Sequence, residues 1–270
     1  MTALVERKTM RQLCLDHLTL SDLTALELIE VASETGCSSV SLFVKPLPLG
    51  PYRDLIHDCA ARRDVVQALR RSGLRTGIVE PFMLQEDTDW AELERTVDLT
   101  AELGGRVNAL GFDPDSARLR DAMCRLAGLA KSAGVEMAIE AFPLSAVVTQ
   151  GDALELAMSA GSHVGLCLDT LHVVRSGWSW DDIASLPPER IFHVQLNDGP
   201  REPPADRYRE ATIARLPPGE GEFGLEAFVP LIPSSATVAI EAPFIAAEDA
   251  TPVERARIAV QATRRLLGEL

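Results

Sequence analysis

Val135-Glu136-Met137-Ala138-Ile139-Glu140 is a short, largely apolar, β-prone run that ends on a carboxylate, and its form recurs three more times. Val164-Gly165-Leu166-Cys167-Leu168-Asp169, Ile191-Phe192-His193-Val194-Gln195 and Ala236-Thr237-Val238-Ala239-Ile240-Glu241 each close on a side-chain oxygen. Burying a polar group at the end of an apolar strand costs free energy unless a partner compensates it. Four such endings in the second half of one chain point to a shared cation at an enzyme site. The intervals between Glu140, Asp169, Gln195 and Glu241 are 29, 26 and 46 residues. The first two fit one strand-plus-helix unit each and the third fits one unit plus an insertion, which puts all four at C-terminal strand ends.

Working outward, β-rich runs alternate with helical periodicity about eight times. Strands are predicted near residues 11–17, 38–45, 74–80, 106–112, 135–142, 164–170, 190–196 and 236–242. Ser21 to Thr35 reads as a helix opened by a Ser N-cap and stopped by Gly36. The same grammar ends helices at Gly73, Gly104, Gly134, Gly161 and Gly268. The expected fold is α/β, a single (β/α)8 TIM barrel over residues 1–270, a length close to the ~250 residues such barrels need. An open doubly wound sheet is the rival, but it gathers its site at one switch point instead of on four successive strands. Gly199 to Gly224, rich in Pro, Arg and Gly, is the long irregular segment and the candidate lid.

With 46% hydrophobic and 24% charged residues the chain can bury a full core. Met1 to Leu20 lacks the pattern of a signal peptide and no stretch reads as a membrane span, so a cytoplasmic protein with no membrane role is expected. A net charge of −14 disfavours nucleic acid and anionic lipid and favours a small-molecule partner. Five cysteines without a CxxC pair read as reduced packing residues.

Three carboxylates and an amide oxygen, Glu140, Asp169, Glu241 and Gln195, form a hard donor set that suits one divalent ion, Mn²⁺ or Mg²⁺. The ordinary alternative is helix caps and rim ion pairs. His172, three residues after Asp169, is placed to meet a substrate oxygen and to transfer protons. His193 shares a strand side with Gln195 and reads either as its support or as a core histidine. Arg201 can hold a substrate anion or hydroxyl, or simply be exposed, and Arg207, Arg209 and Arg215 add charge to the same segment. Asp16, His17, Lys45, Glu80 and Asn108 can line the mouth, with Glu80 and His17 the strongest candidates for touching substrate. Gly219-Glu220-Gly221-Glu222-Phe223-Gly224 matches GxGxxG, but it follows a Pro-rich loop and carries two glutamates, so no nucleotide cofactor is expected. Trp178 and Trp180 read as packing residues.

Ala-Ile-Glu140, Leu-Cys-Leu-Asp169-Thr-Leu-His172, Phe-His193-Val-Gln195-Leu-Asn-Asp, Leu-Pro-Pro-Gly219-Glu-Gly221-Glu-Phe and Ala-Ile-Glu241 resemble the xylose isomerase-like barrel superfamily, in its sugar phosphate isomerase/epimerase branch. The first half matches only in its repeat pattern. The resemblance implies that Glu140 and Glu241 are both metal ligands and proton-transfer groups, that His172 touches substrate, and that Arg201 matches a substrate-contacting arginine. Ketose 3-epimerases of this superfamily carry histidine where this chain has Gln195, and the glutamine resembles the 3-dehydroshikimate dehydratases. The leading expectation is a metal-dependent isomerase or epimerase acting α to the carbonyl of a sugar-like or cyclic polyol substrate. A dehydratase is the first alternative and a non-catalytic sugar-binding barrel the second. Barrels of this group often associate, so a homo-oligomer stays open.

Overall fold

The computed structural model describes residues 10–247 and 249–270. The leader reading of residues 1–9 lies outside the described residues. Eight strands pair in sequence order, all parallel, and β8 returns to β1 to close the barrel. They are β1 (Leu13–Asp16), β2 (Ser39–Phe43), β3 (Arg75–Leu84), β4 (Arg106–Gly111), β5 (Met137–Glu140), β6 (Val164–Asp169), β7 (Ile191–Leu196) and β8 (Thr237–Ile240). The helices are α1 (Ala25–Glu34), α2 (Cys59–Ser72), α3 (Trp90–Leu103), α4 (Ser116–Ser132), α5 (Gln150–Ala160), α6 (Thr170–Arg175), α7 (Trp180–Ala184), α8 (Arg207–Ile213), α9 (Leu225–Phe228) and α10 (Pro252–Leu266).

Strand alternation divides the core into two layers. Leu13, Leu15, Val40, Leu42, Leu166, Leu168, Val194, Leu196, Val238 and Ile240 pack in one large cluster with the helices. The opposite parity carries small or polar residues, among them Cys14, Asp16, Ser39, Ser41, Ala138, Cys167 and His193, all buried. These fill the barrel axis, where Ile78, Ala138 and Cys167 form a separate apolar cluster.

The expected strands hold to within a few residues, except that β3 runs on to Leu84. Its register against β4 shifts between Val79 and Phe82. The first helix starts later than its sequence suggested: His17–Leu20 forms a 3-10 turn, and the cap is Thr24 in a reciprocal capping box with Glu27. Gly73 and Gly104 end α2 and α3 with φ of 71° and 68°, a left-handed conformation that glycine adopts without strain. All five cysteines are free. Among the described residues no helix is long and apolar enough to cross a membrane.

At the face away from the C-terminal strand ends, the two ends of the described chain are fastened together. The Arg11 backbone N–H donates to Glu269 Oε1 at 2.6 Å, and Arg264 Nη1 donates to the Arg11 carbonyl at 2.6 Å.

Candidate metal and substrate site

Closure brings the strand-end residues to one axis. Glu140 ends β5, Asp169 ends β6, Gln195 lies on β7, and Glu241 follows β8, its N–H bonded to the Leu196 carbonyl at 3.0 Å. Register sets Asp169 beside Gln195 and Gln195 beside Ala239 on neighbouring strands. Ligand atoms of Glu140, Asp169 and His172 fall within 4.8 Å of one another. His172 Nε2 is 3.4 Å from Glu140 Oε1 and 3.7 Å from Asp169 Oδ2. Glu241 does not join that group.

The protein itself holds oxygens of each carboxylate, both of them at Asp169. Asp169 Oδ1 caps α6 by accepting from the N–H groups of Leu171 and His172, and Asn197 Nδ2 donates to the same oxygen at 2.9 Å. Asn108 Nδ2, on β4, donates to Glu140 Oε2 at 2.5 Å and to Glu80 Oε1 at 2.9 Å. Arg215 Nη1 lies between the remaining pair, donating to Asp169 Oδ2 at 2.7 Å, to Glu241 Oε2 at 2.8 Å and to the Glu241 carbonyl at 3.0 Å.

Burial opposes ionisation of both acids that share Arg215. At Asp169 the Arg215 charge, followed by His172 and the hydrogen bonds, outweighs burial and holds the carboxyl below its ordinary range. At Glu241 burial prevails, with Arg215 opposing it and Asp169 adding to it, and the carboxyl is pushed well up. Glu80 is likewise pushed up by burial, then by Glu140 and Asp16. Asp16, Glu80, Glu140, Asp169 and Glu241 are all buried at this end of the barrel.

Gln195 Oε1 accepts from the Cys167 thiol at 3.0 Å, while its Nε2 is buried without a partner. A half-turn of the amide trades the two atoms: Nε2 then donates to the sulfur, and Oε1 becomes the free atom that can meet a cation. Two buried carboxylates and an imidazole around one point, with Gln195 on the adjacent strand, fit a divalent ion.

The other expected residues divide. Glu80 reaches the site through Asn108. His17 turns to the backbone instead: its Nδ1 accepts from the Phe43 N–H at 3.2 Å and its Nε2 bonds the Leu23 carbonyl at 3.0 Å. The ring packs on Tyr52, and burial lowers its pKa to about 4. His193 is buried with neither ring nitrogen hydrogen-bonded, its Nε2 3.9 Å from Asp16 Oδ2, so it makes no hydrogen bond to Gln195's amide. Arg201 is exposed, and it is its backbone N–H that is held, by Glu222 Oε2 at 2.8 Å. The arginine at the centre is Arg215, which the sequence marked only as loop charge. Lys45 pairs with Glu92 at 3.8 Å.

Segment 199–224 is built, not structureless. It contains α8 and is pinned at its neck, where Asp198 and Leu216 pair and the Asp198 carboxylate accepts from the N–H groups of Gly199, Gly219 and Phe223. Arg175 of α6 grips it further out: it meets Glu210 with two hydrogen bonds at 3.0 and 2.5 Å and donates to the carbonyls of Pro200 and Arg201. Trp180 packs on Phe228, and its Nε1 donates to the Phe223 carbonyl.

A 3-dehydroshikimate dehydratase from Pseudomonas aeruginosa is 30% identical over 224 residues, 76% of this chain but 33% of that protein, so the chain spans about a third of its relative's length. Among solved structures, a xylose isomerase-like TIM barrel/4-hydroxyphenylpyruvate dioxygenase fusion protein superposes with a TM-score of 0.79 at 22% identity, covering 94% of this chain and 42% of that one. The IolI protein, crystallised with a zinc atom, gives 0.76 at 18% identity over 96% of this chain and 99% of its own. Both share the fold. Residues 29–248 match the family description itself, and the chain belongs to the xylose isomerase-like TIM barrel family.

Proposed function

We propose that this chain is a divalent-metal-dependent enzyme that removes a proton α to the carbonyl of a small polyhydroxylated substrate and then expels a β-hydroxyl as water. The observation that carries this reading is the convergence of Glu140, Asp169 and His172 on one buried point, with Gln195 and Glu241 on the strands beside them. A divalent ion held by Glu140, Asp169, Gln195 and Glu241 would supply Lewis-acid polarisation of the substrate carbonyl.

The chain's own residues supply the proton handling. Glu140 and Glu241 are the proposed proton-transfer pair. Glu140 has one oxygen held by Asn108 and the other facing His172, so its orientation is fixed before substrate arrives. Glu241 follows β8, the strand beyond Gln195, and is buried. His172, within reach of both Glu140 and Asp169, is placed to carry the proton toward a departing hydroxyl. Removing one proton and one hydroxide equivalent balances as loss of water.

An amide at Gln195, together with the dehydratase relative, favours this outcome over the isomerase expected first. The isomerase reading keeps support from the shared first step, because reprotonation of the same carbon gives an isomer. Incubation of the Mn²⁺-loaded protein in D₂O with 3-dehydroshikimate and with candidate ketoses separates the two. A growing ultraviolet chromophore with loss of water is the expected result. Deuterium on the α-carbon of an otherwise intact ketose, with no dehydration of any substrate, would return the reading to the isomerase. Glu140→Gln and Glu241→Gln are each expected to lower turnover by on the order of 10³-fold or more while circular dichroism stays unchanged.

A further inference from the structure

Arg215 stands between two of the carboxylates expected to hold the cation. Its Nη1 bridges Asp169 Oδ2 and Glu241 Oε2 at 2.7 and 2.8 Å, the oxygens that Asn197 and the α6 N-terminus leave free at Asp169 and one of the two at Glu241. The guanidinium is buried and its approach is built: Nε donates to the Ala211 carbonyl at 2.8 Å and the backbone N–H to the Pro243 carbonyl at 2.9 Å. With Glu241 held on Arg215, that carboxylate stays out of the compact group made by Glu140, Asp169 and His172.

We propose that Arg215 is a resident cation, and that a divalent ion loads by exchange with it. The proposal rests on the metal assignment above and goes beyond it. Two carboxylates without a counter-charge in a barrel interior are costly, so the metal-free site requires a cation of the protein's own. A divalent ion drawing on the same oxygens would be repelled by the guanidinium that already holds them, and its binding would stay weak until the guanidinium withdrew. Arg215 follows Ala214, the C-cap of α8, and precedes Leu216, which pairs with Asp198, so its withdrawal loosens the inner end of segment 199–224. Arg175, through Glu210, keeps the outer end attached. Ion loading and the order of segment 199–224 are therefore coupled.

The test is calorimetric titration of chelator-treated protein with Mn²⁺, comparing wild type with Arg215→Met and Arg215→Lys. It is accompanied by thermal unfolding without metal and by hydrogen exchange of peptides covering 207–216. Arg215→Met is expected to bind Mn²⁺ roughly tenfold more tightly, or better, and to unfold at lower temperature when metal-free. Arg215→Lys, which keeps the charge, should stay near wild type in both. Mn²⁺ should speed exchange in 207–216 of the wild type. Weaker or equal Mn²⁺ binding by a folded Arg215→Met, or Mn²⁺ slowing exchange there, overturns the proposal and leaves the metal site standing. Absence of Mn²⁺ binding in wild type and variants alike removes the metal assignment and the proposal with it.

Discussion

At the scale of single residues, His17 and Asn108 show what a strand end can and cannot announce. His17 was a natural mouth residue by position, yet its ring is turned onto Phe43 and Tyr52 and both nitrogens serve the backbone. Direction of a side chain just past a strand depends on the turn that follows, here a 3-10 turn that no periodicity marks. Its buried neutral ring has a pH consequence. The native pKa is near 4 against 6.5 in the unfolded chain, so acidification charges the unfolded state first and destabilises the fold. The loss begins as pH falls through 6.5, is complete below 4, and amounts to about 3 kcal/mol. His17→Gln is expected to flatten the stability curve within that window, measured by urea unfolding from pH 7 to 4. An unchanged slope would show that the ring titrates alike in the folded and the unfolded chain. Glu140, Asp169, Gln195 and Glu241 stood out because a lone oxygen after an apolar run is anomalous, and the structure sets them at or near the ends of four successive strands. Asn108 and Arg215 were not legible as a bridge and a central cation. One is an amide inside a strand and the other a single arginine in a segment with several.

Among the elements, those with strong local grammar were readable. Apolar runs gave the strands, and glycines at positive φ gave the ends of α2 and α3. The helix α8 escaped, because seven residues rich in charge carry too little apolar pattern to stand apart from a loop. Its place is set by tertiary contacts, above all the Arg175–Glu210 pair, whose side chains are 5% and 2% exposed. Glu210→Ala strands a buried guanidinium and is expected to cost on the order of 3 kcal/mol, whereas Arg175→Met with Glu210→Met together should cost less than the single change. Denaturant unfolding of the three variants checks this, and additive losses would mean the two residues act independently. Because the same arginine leaves the helix that carries His172, the single variant should also raise KM.

For the whole molecule, the barrel was legible from repeat count alone, since eight strand-and-helix units have few other ways to bury every apolar face. What repeats cannot tell is how the axis is filled. Here small and polar side chains occupy it, and the buried acids of the proposed site lie at one end while the ends of the described chain meet at the other. That last contact, between Arg11 and Glu269, makes the order of the units arbitrary. A circular permutant that joins residue 270 to residue 10 through a short glycine-serine linker, and opens the chain between Gly73 and Leu74, should fold and bind Mn²⁺ like the parent. Circular dichroism and titration would show it, and failure to fold would mean that the connection between α2 and β3 is needed to start assembly. If the permutant succeeds, a second domain or a sensor can be attached at a newly made end without approaching the mouth.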